Sequence, residues 1–440
     1  MCITKPSDEK LNKLLAVFIT LTICVSRISM AVGQALQCMA LLAGIILFFR
    51  QKRKLGMTQE AKKYYVVAML FFISTAVSAI GAENPREVLV EFLNMWIWRS
   101  VIFVLITAFI HRKDYLLGML TTVLVVHGIE CFTAFAEFLI YGGRGWGFGS
   151  LGSNPLGLSG MMCLMFPAVS IILLDDRFEK KLKTAAAFCL VGILAGLIGC
   201  QSRGSWLVVI LMTPVIVAPY AAKDIKKVAA VGAICLIIVG IFATNPAFVK
   251  RLKSSVNVTT NWSNTHRLWL WGSAVNMFKD HPVNGIGLGN FKEFYKNRGY
   301  WLHNGKMEPR EARLLKKKGT PRVRVKVGEK NNKAIYVVRP KNFLAASHAH
   351  NSYFHYLAET GAIGIVSLLF FVVYFLGNSL RNWLKEKQAC DFIFFTSFLS
   401  FFVLFAQVEH IIDRSSAIRM MWFLLAVLLQ MKSAEGKEAP

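Results

Sequence analysis

Apolar runs of about 18 to 25 residues recur along this chain, each long enough to cross the hydrocarbon core of a bilayer. Between them the charged residues fall in clusters. Twelve spans are read, at 13–30, 32–49, 64–82, 88–110, 115–141, 156–174, 184–200, 205–221, 228–244, 356–378, 391–409 and 417–431. Lipid offers no partner to an unpaired backbone group, so the spans must be helical. With 55% hydrophobic residues over 440 positions, the chain is too apolar for a soluble protein. No small-residue cleavage site follows the first span, which is read as a retained helix.

Orientation follows from the short loops. Arg50 to Lys54, His111-Arg112-Lys113, Lys180 to Lys183, Lys223 to Lys227, and Arg381 with Lys385 and Lys387 all fall on one side. The positive-inside rule makes that side cytoplasmic, together with both termini. Three regions result: 1–244 with nine spans, a large outer loop domain at 245–349, and 350–440 with three more spans. The net charge of +26 is shared between the cytoplasmic loops and the outer loop. On an outer face the available polyanions are phosphorylated lipids and glycolipids, so nucleic acid is not an expected partner. A solvated charged face is the plainer reading of the loop's charge. Most of the nine cysteines lie inside spans and none forms a C-x-x-C pair, so neither disulfides nor a thiol-ligated metal is expected.

Within the outer loop, Trp269 to Lys279 carries Leu270, Ala274, Val275 and Phe278 at helical spacing, which predicts an amphipathic interfacial helix. His281-Pro282 ends it, and Gly285-x-Gly287-x-Gly289 turns the chain; without a preceding buried strand this is no dinucleotide fingerprint. The alternation Arg322-Val323-Arg324-Val325-Lys326-Val327, a polar turn, and Ala334 to Val338 predict a β-hairpin with one cationic face. Gly142 to Gly149 is read as a flexible outer turn.

His350 stands directly before an apolar run, and imidazole takes up and releases protons near neutral pH. It is the first candidate for a general base, with His348 as its understudy; a helix-capping histidine at the interface is the plainer alternative. Arg203, in Ser202-Arg203-Gly204, lies at the outer end of the seventh span, and Arg267 begins the interfacial helix. Guanidinium forks onto two oxygens of one phosphate and so suits a pyrophosphate. Snorkelling to headgroups is the alternative for Arg203. Arg99 either pairs with Glu91 or reaches a headgroup; Arg414 and Arg419 lie near the outer ends of the last two spans. The acidic candidates are Glu83, Glu87, Glu130, Glu137, Glu359, Glu409 and Asp413. Glu130 and Glu137 share a helix face, most simply for an ion pair. No Asp-x-Asp occurs, and His348-Ala349-His350 has no carboxylate at ligand spacing, so no metal or cofactor is expected.

The Ser202-Arg203-Gly204 element, the run Arg267…Trp271…Ala274…Phe278…His281-Pro282…Gly285-x-Gly287-x-Gly289-x-Phe291 and His350-Asn351…Gly361-x-x-Gly364 resemble, in that order, the motifs of the O-antigen ligase and polymerase superfamily. The resemblance implies an all-α polytopic membrane protein, GT-C-like, with about twelve transmembrane helices and one large periplasmic loop. It implies transfer of a glycan from undecaprenyl pyrophosphate to an acceptor sugar, with inversion and without metal, at the periplasmic face of the bacterial inner membrane. His350 would be the base, Arg203 and Arg267 the pyrophosphate clamp, and His348, Asn351, Arg99 and Arg414 possible support. Within the superfamily the basic loop favours a phosphorylated acceptor, the lipid A-core, with Arg322, Arg324 and Lys326 meeting it. The alternatives are a polymerase or protein-glycosylating ligase of the same superfamily and, from another class, a transporter of anionic substrates.

Overall fold

The computed structural model describes residues 6–52, 54–148, 155–221, 262–303, 306–307, 322–330, 333–340, 346–411 and 415–438, with short stretches between 225 and 249. Eight helices lead the chain: α1 (Pro6–Val25), α2 (Met30–Arg50), α3 (Gln59–Ala76), α4 (Pro85–Phe109), α5 (Lys113–Tyr141), α6 (Pro155–Leu174), α7 (Lys180–Cys200) and α8 (Arg203–Ala221). Then come α9 (Trp262–Asp280), α10 (Phe291–Asn297) and, closing the chain, α11 (Ser352–Glu386), α12 (Ala389–Gln407) and α13 (Ser415–Glu438). Among the described residues, nine helices are long and apolar enough to cross a membrane: α2, α4 to α8 and α11 to α13. The chain is a multi-pass membrane protein. Helices α1 and α3 lie where spans were expected but fall outside those nine, and the expected span 228–244 lies largely outside the described residues.

Between α9 and α11 the chain forms two short antiparallel pairs, β1 (Leu302–His303) with β2 (Lys306–Met307) and β3 (Arg322–Lys330) with β4 (Lys333–Pro340). The longer pair runs from Arg322 opposite Pro340 to Lys330 opposite Lys333, with a register shift between Lys326 and Gly328.

Aromatic side chains hold the bundle centre. Phe71 and Phe72 of α3 pack against Trp96 of α4, and Phe71 also meets Phe371 of α11 with ring centroids 5.1 Å apart. Trp422 of α13 closes on Phe103 and Phe375. Such rings bury large apolar areas, and tilted or edge-on pairs add about 0.5–1.5 kcal/mol each. In lipid, where hydrocarbon is no worse a neighbour than leucine, close packing is the main force between helices. Helices α5 and α7 use it fully: a Cβ on Gly192 would lie 2.8 Å from the Gly128 carbonyl oxygen, and one on Gly199 2.5 Å from that of Ala134.

The glycine-rich stretch after α5 seals this seam, which corrects its reading as a flexible turn. Gly145 N–H donates to the Gly199 carbonyl at 2.9 Å, and the N–H groups of Trp146 and Gly147 donate to Glu137 Oε2 at 2.5 and 3.0 Å. Glu137 therefore fastens a loop. Glu130 pairs instead with Arg27, Nε to Oε1 at 2.6 Å. The ion pair expected of these acids is thus present at Glu130, with its partner just past the end of α1.

A second junction joins two of the glycine motifs. Helix α11 breaks at Gly361, whose φ of 62° only glycine adopts without penalty. The segment after α9 docks on the break: Ile286 N–H donates to the Ala358 carbonyl, Gly287 N–H to Glu359, and Ala362 N–H to Pro282, at 3.0, 2.9 and 2.8 Å. Leu270, Ala274 and Met277 of α9 are buried with Phe291, Tyr295 and Trp301, so the predicted helix exists and starts earlier, at Trp262. These contacts fix the start of α9 over the start of α11.

Candidate active site

Three helix ends meet where the long segment joins the bundle: the first turn of α8, the first turn of α11, and the chain leaving α12. Between them and α9 lies a cavity of about 130 Å³, whose lining includes Arg144, Arg203, His266, Arg267, His350 and Glu409.

His350 occupies the last position before the helix cap, at a φ of 52°. A non-glycine residue in the left-handed region persists only where its surroundings hold it there. Asn351 does this from the C-terminal side. Its Oδ1 accepts from Tyr353 N–H at 2.9 Å and Phe354 N–H at 3.1 Å, capping α11, while its Nδ2 donates to the Gln407 carbonyl at 3.0 Å. From the other side His350 N–H donates to Nδ1 of buried His348 at 3.3 Å. The strained backbone thus aims one imidazole into the cavity.

Glu409 decides how that imidazole is protonated. Its Oε2 lies 3.1 Å from His350 Nδ1. A carboxylate only accepts, so Nδ1 donates to it, and in the neutral ring Nε2 is then the nitrogen with the free lone pair. Glu409 is itself 1% exposed and held by its backbone: Ser352 Oγ donates to its carbonyl at 3.3 Å and accepts from Ile411 N–H at 3.0 Å. An imidazole held by a carboxylate in this way can act as a base with its orienter.

Opposite the pair stand the guanidinium groups. Arg267, in the second turn of α9, lies 3.9 Å from Glu409 Oε2. Arg203 follows Gln201, whose φ of 49° closes α7, and its Nη2 donates to Asn264 Oδ1 at 3.2 Å. Gly204 beside it has no room for a side chain, since a Cβ would lie 2.6 Å from Val408 Cγ2. Arg144 arrives on the sealed glycine loop. Burial pushes the Arg267 guanidinium below its ordinary value; Glu409 opposes that shift and Arg144 reinforces it. Three guanidinium groups share the cavity with one carboxylate, so its balance is cationic and suits a polyanion.

The same histidines raise the question of a metal. Ligand atoms of His348, His350 and Glu409 lie within 4.8 Å of one another, so the carboxylate missing at ligand spacing in the sequence is supplied from 59 residues downstream. A dication held there would share Glu409 with Arg267, whose positive charge opposes it at close range. The cluster can therefore hold a metal by geometry and disfavours one by charge.

Of the expected residues, His350, Arg203 and Arg267 line one cavity, while His348 and Asn351 hold the turn that carries His350. Arg99 is buried in α4 and is not among the lining residues. Arg414 and the side chains of Arg322, Arg324 and Lys326 lie outside the described residues. Sequence reasoning did not single out Arg144 or His266 and ranked Glu409 only as one acid among seven. An acid at the very end of an apolar span was the signal for Glu409, because intramembrane carboxylates are costly without a task.

Residues 187–311 match the family described as O-antigen ligase, which bears out the resemblance to the O-antigen ligase and polymerase superfamily. The match includes Arg203 and Arg267, while His350 and Glu409 lie beyond it. No curated protein matches the chain.

Proposed function

We propose that this protein is an inverting, metal-independent glycosyltransferase. It would move O-antigen polysaccharide from undecaprenyl pyrophosphate to a lipid A-core sugar at the periplasmic face of the inner membrane. The observation that carries this is the His350–Glu409 pair facing three arginines in one cavity.

In this reading the acceptor hydroxyl gives its proton to His350 Nε2, and its oxygen attacks the anomeric carbon of the donor. The bond from that carbon to the pyrophosphate oxygen breaks, its electron pair leaves with the pyrophosphate, and a single displacement inverts the centre. Glu409 stabilises the imidazolium, while Arg144, Arg203 and Arg267 neutralise charge that grows on the leaving group. Pyrophosphate is already a good leaving group, so charge neutralisation suffices. The groups cluster at helix ends on one side, whereas transporters place their sites near mid-membrane, which favours the enzyme over a carrier. We assign Arg322, Arg324 and Lys326 to the phosphorylated acceptor.

Two results test this reading. Lipopolysaccharide from a deletion strain, resolved on a gel, should show core without any attached repeats; core bearing a single repeat would make the protein the superfamily's polymerase instead. Arg203→Lys and Arg267→Lys keep the charge and lose the two-pronged contact. Each should cut transfer about tenfold or more, an effect of about 1.4 kcal/mol. Full activity in both lysine variants would leave the arginines only a diffuse electrostatic role.

A further inference from the structure

A second, larger cavity has no part in the chemistry above. It measures about 670 Å³ and lies between the turn leaving α3 and the C-terminal end of α9. Its size falls within the range of about 300–1,000 Å³ typical of ligand pockets.

Its lining differs in kind from that of the active site. Glu83 and Asp280 are balanced by Lys279 and Arg298, so no net charge selects an anion. Asn276 adds a neutral amide. Tyr300 donates its hydroxyl to Asp280 Oδ2 at 2.7 Å, and burial, then that bond, push the phenol above its ordinary value, so it stays a donor. The Tyr300 ring, backed at 6.2 Å by that of buried Phe294, gives the floor its aromatic side. Planar carboxylates, amides and guanidinium groups bind vicinal hydroxyls in pairs, and aromatic faces meet the apolar C–H faces of sugar rings. The walls are clipped together by an ion pair between Glu83 and Arg298 and by Asn284 Nδ2 donating to the Ile80 carbonyl at 3.2 Å. A wall of paired groups is a preformed surface.

One helix connects the two sites. Arg267 lines the active-site cavity and Lys279 the larger one, both on α9. At about 1.5 Å per residue they stand about 18 Å apart along the axis. A ligand in the larger cleft is therefore out of reach of His350, yet within the length of one oligosaccharide reaching from it.

We infer that this cleft is a saccharide-binding site which holds sugars of the donor chain several residues away from the scissile bond. The identity of the sugar rests on the transferase reading; the presence of a saccharide site does not.

The test separates the two. Purified full-length protein is titrated with the oligosaccharide freed from its lipid carrier by mild acid, which carries no pyrophosphate. Wild type and His350→Ala should bind it equally. Asn276→Trp, which fills the cleft, and the milder Asn276→Ala/Lys279→Ala pair should each weaken binding at least tenfold. In transfer assays the cleft variants should raise KM for a donor bearing many repeats and leave a single-repeat donor unchanged. A raised KM for the lipid A-core instead would overturn the assignment of the cleft to the donor chain. No binding by wild type, or equal binding by wild type and both cleft variants, overturns the inference whatever the transfer assay gives. Transfer absent in wild type with binding intact overturns the transferase reading alone.

Discussion

His350→Ala should insert into the membrane like the wild type and lose transfer by about 10²–10⁴-fold, the usual contribution of general-base catalysis. Its side chain lines the cavity and makes one described hydrogen bond, to Glu409, so truncation removes the base without opening a packed core. His348→Ala is the control. His348 is buried and accepts the His350 N–H, so its loss should loosen the turn and reduce transfer less. Normal transfer by His350→Ala together with its loss in His348→Ala would hand the role to His348, whose Nε2 lies 3.9 Å from the same carboxylate.

Glu409→Gln should be the second severe lesion, with transfer down by about 10²-fold or more. The amide preserves the shape and removes the charge that stabilises the imidazolium. Its NH₂ group can also donate to Nδ1 and so shift the hydrogen to Nε2, the nitrogen that must accept. Removing the one carboxylate makes the cavity more cationic, so KM for the pyrophosphate donor should not rise while kcat falls. That split is what a positioning carboxylate produces. A Glu409→Gln enzyme whose activity returns with added Mg²⁺ or Mn²⁺ would mean that Glu409 serves as a metal ligand with His348 and His350.

The membrane helices were legible because hydropathy is local: an apolar run long enough to cross lipid has no other stable form there. His350 at the mouth of a span was legible for the same reason, but the helix cap considered for it falls to its neighbour Asn351. The rest of the site depends on contacts that spacing does not reveal. Glu409 reaches His350 because α11 and α12 run side by side and return to the same end, with Ser352 and Asn351 tying the chain after α12 to the start of α11. Arg144 looked mobile in a glycine-rich stretch, yet those glycines let Gly145 press against α5 and α7. The Gly285 motif reads as a turn and the Gly361 motif only as part of the resemblance, inside an expected span. Their common purpose, two backbones in contact where no Cβ fits, appears only when both are in place: a Cβ on Gly361 would lie 2.3 Å from the Val283 carbonyl oxygen.

The most direct test is a transfer reaction with purified protein, lipid-linked donor and lipid A-core acceptor, run in EDTA with wild type and His350→Ala side by side. The account predicts that wild type joins the glycan to the core in chelator and that His350→Ala does not. Wild-type activity that vanishes in EDTA and returns with a divalent cation, or full transfer by His350→Ala, would contradict it.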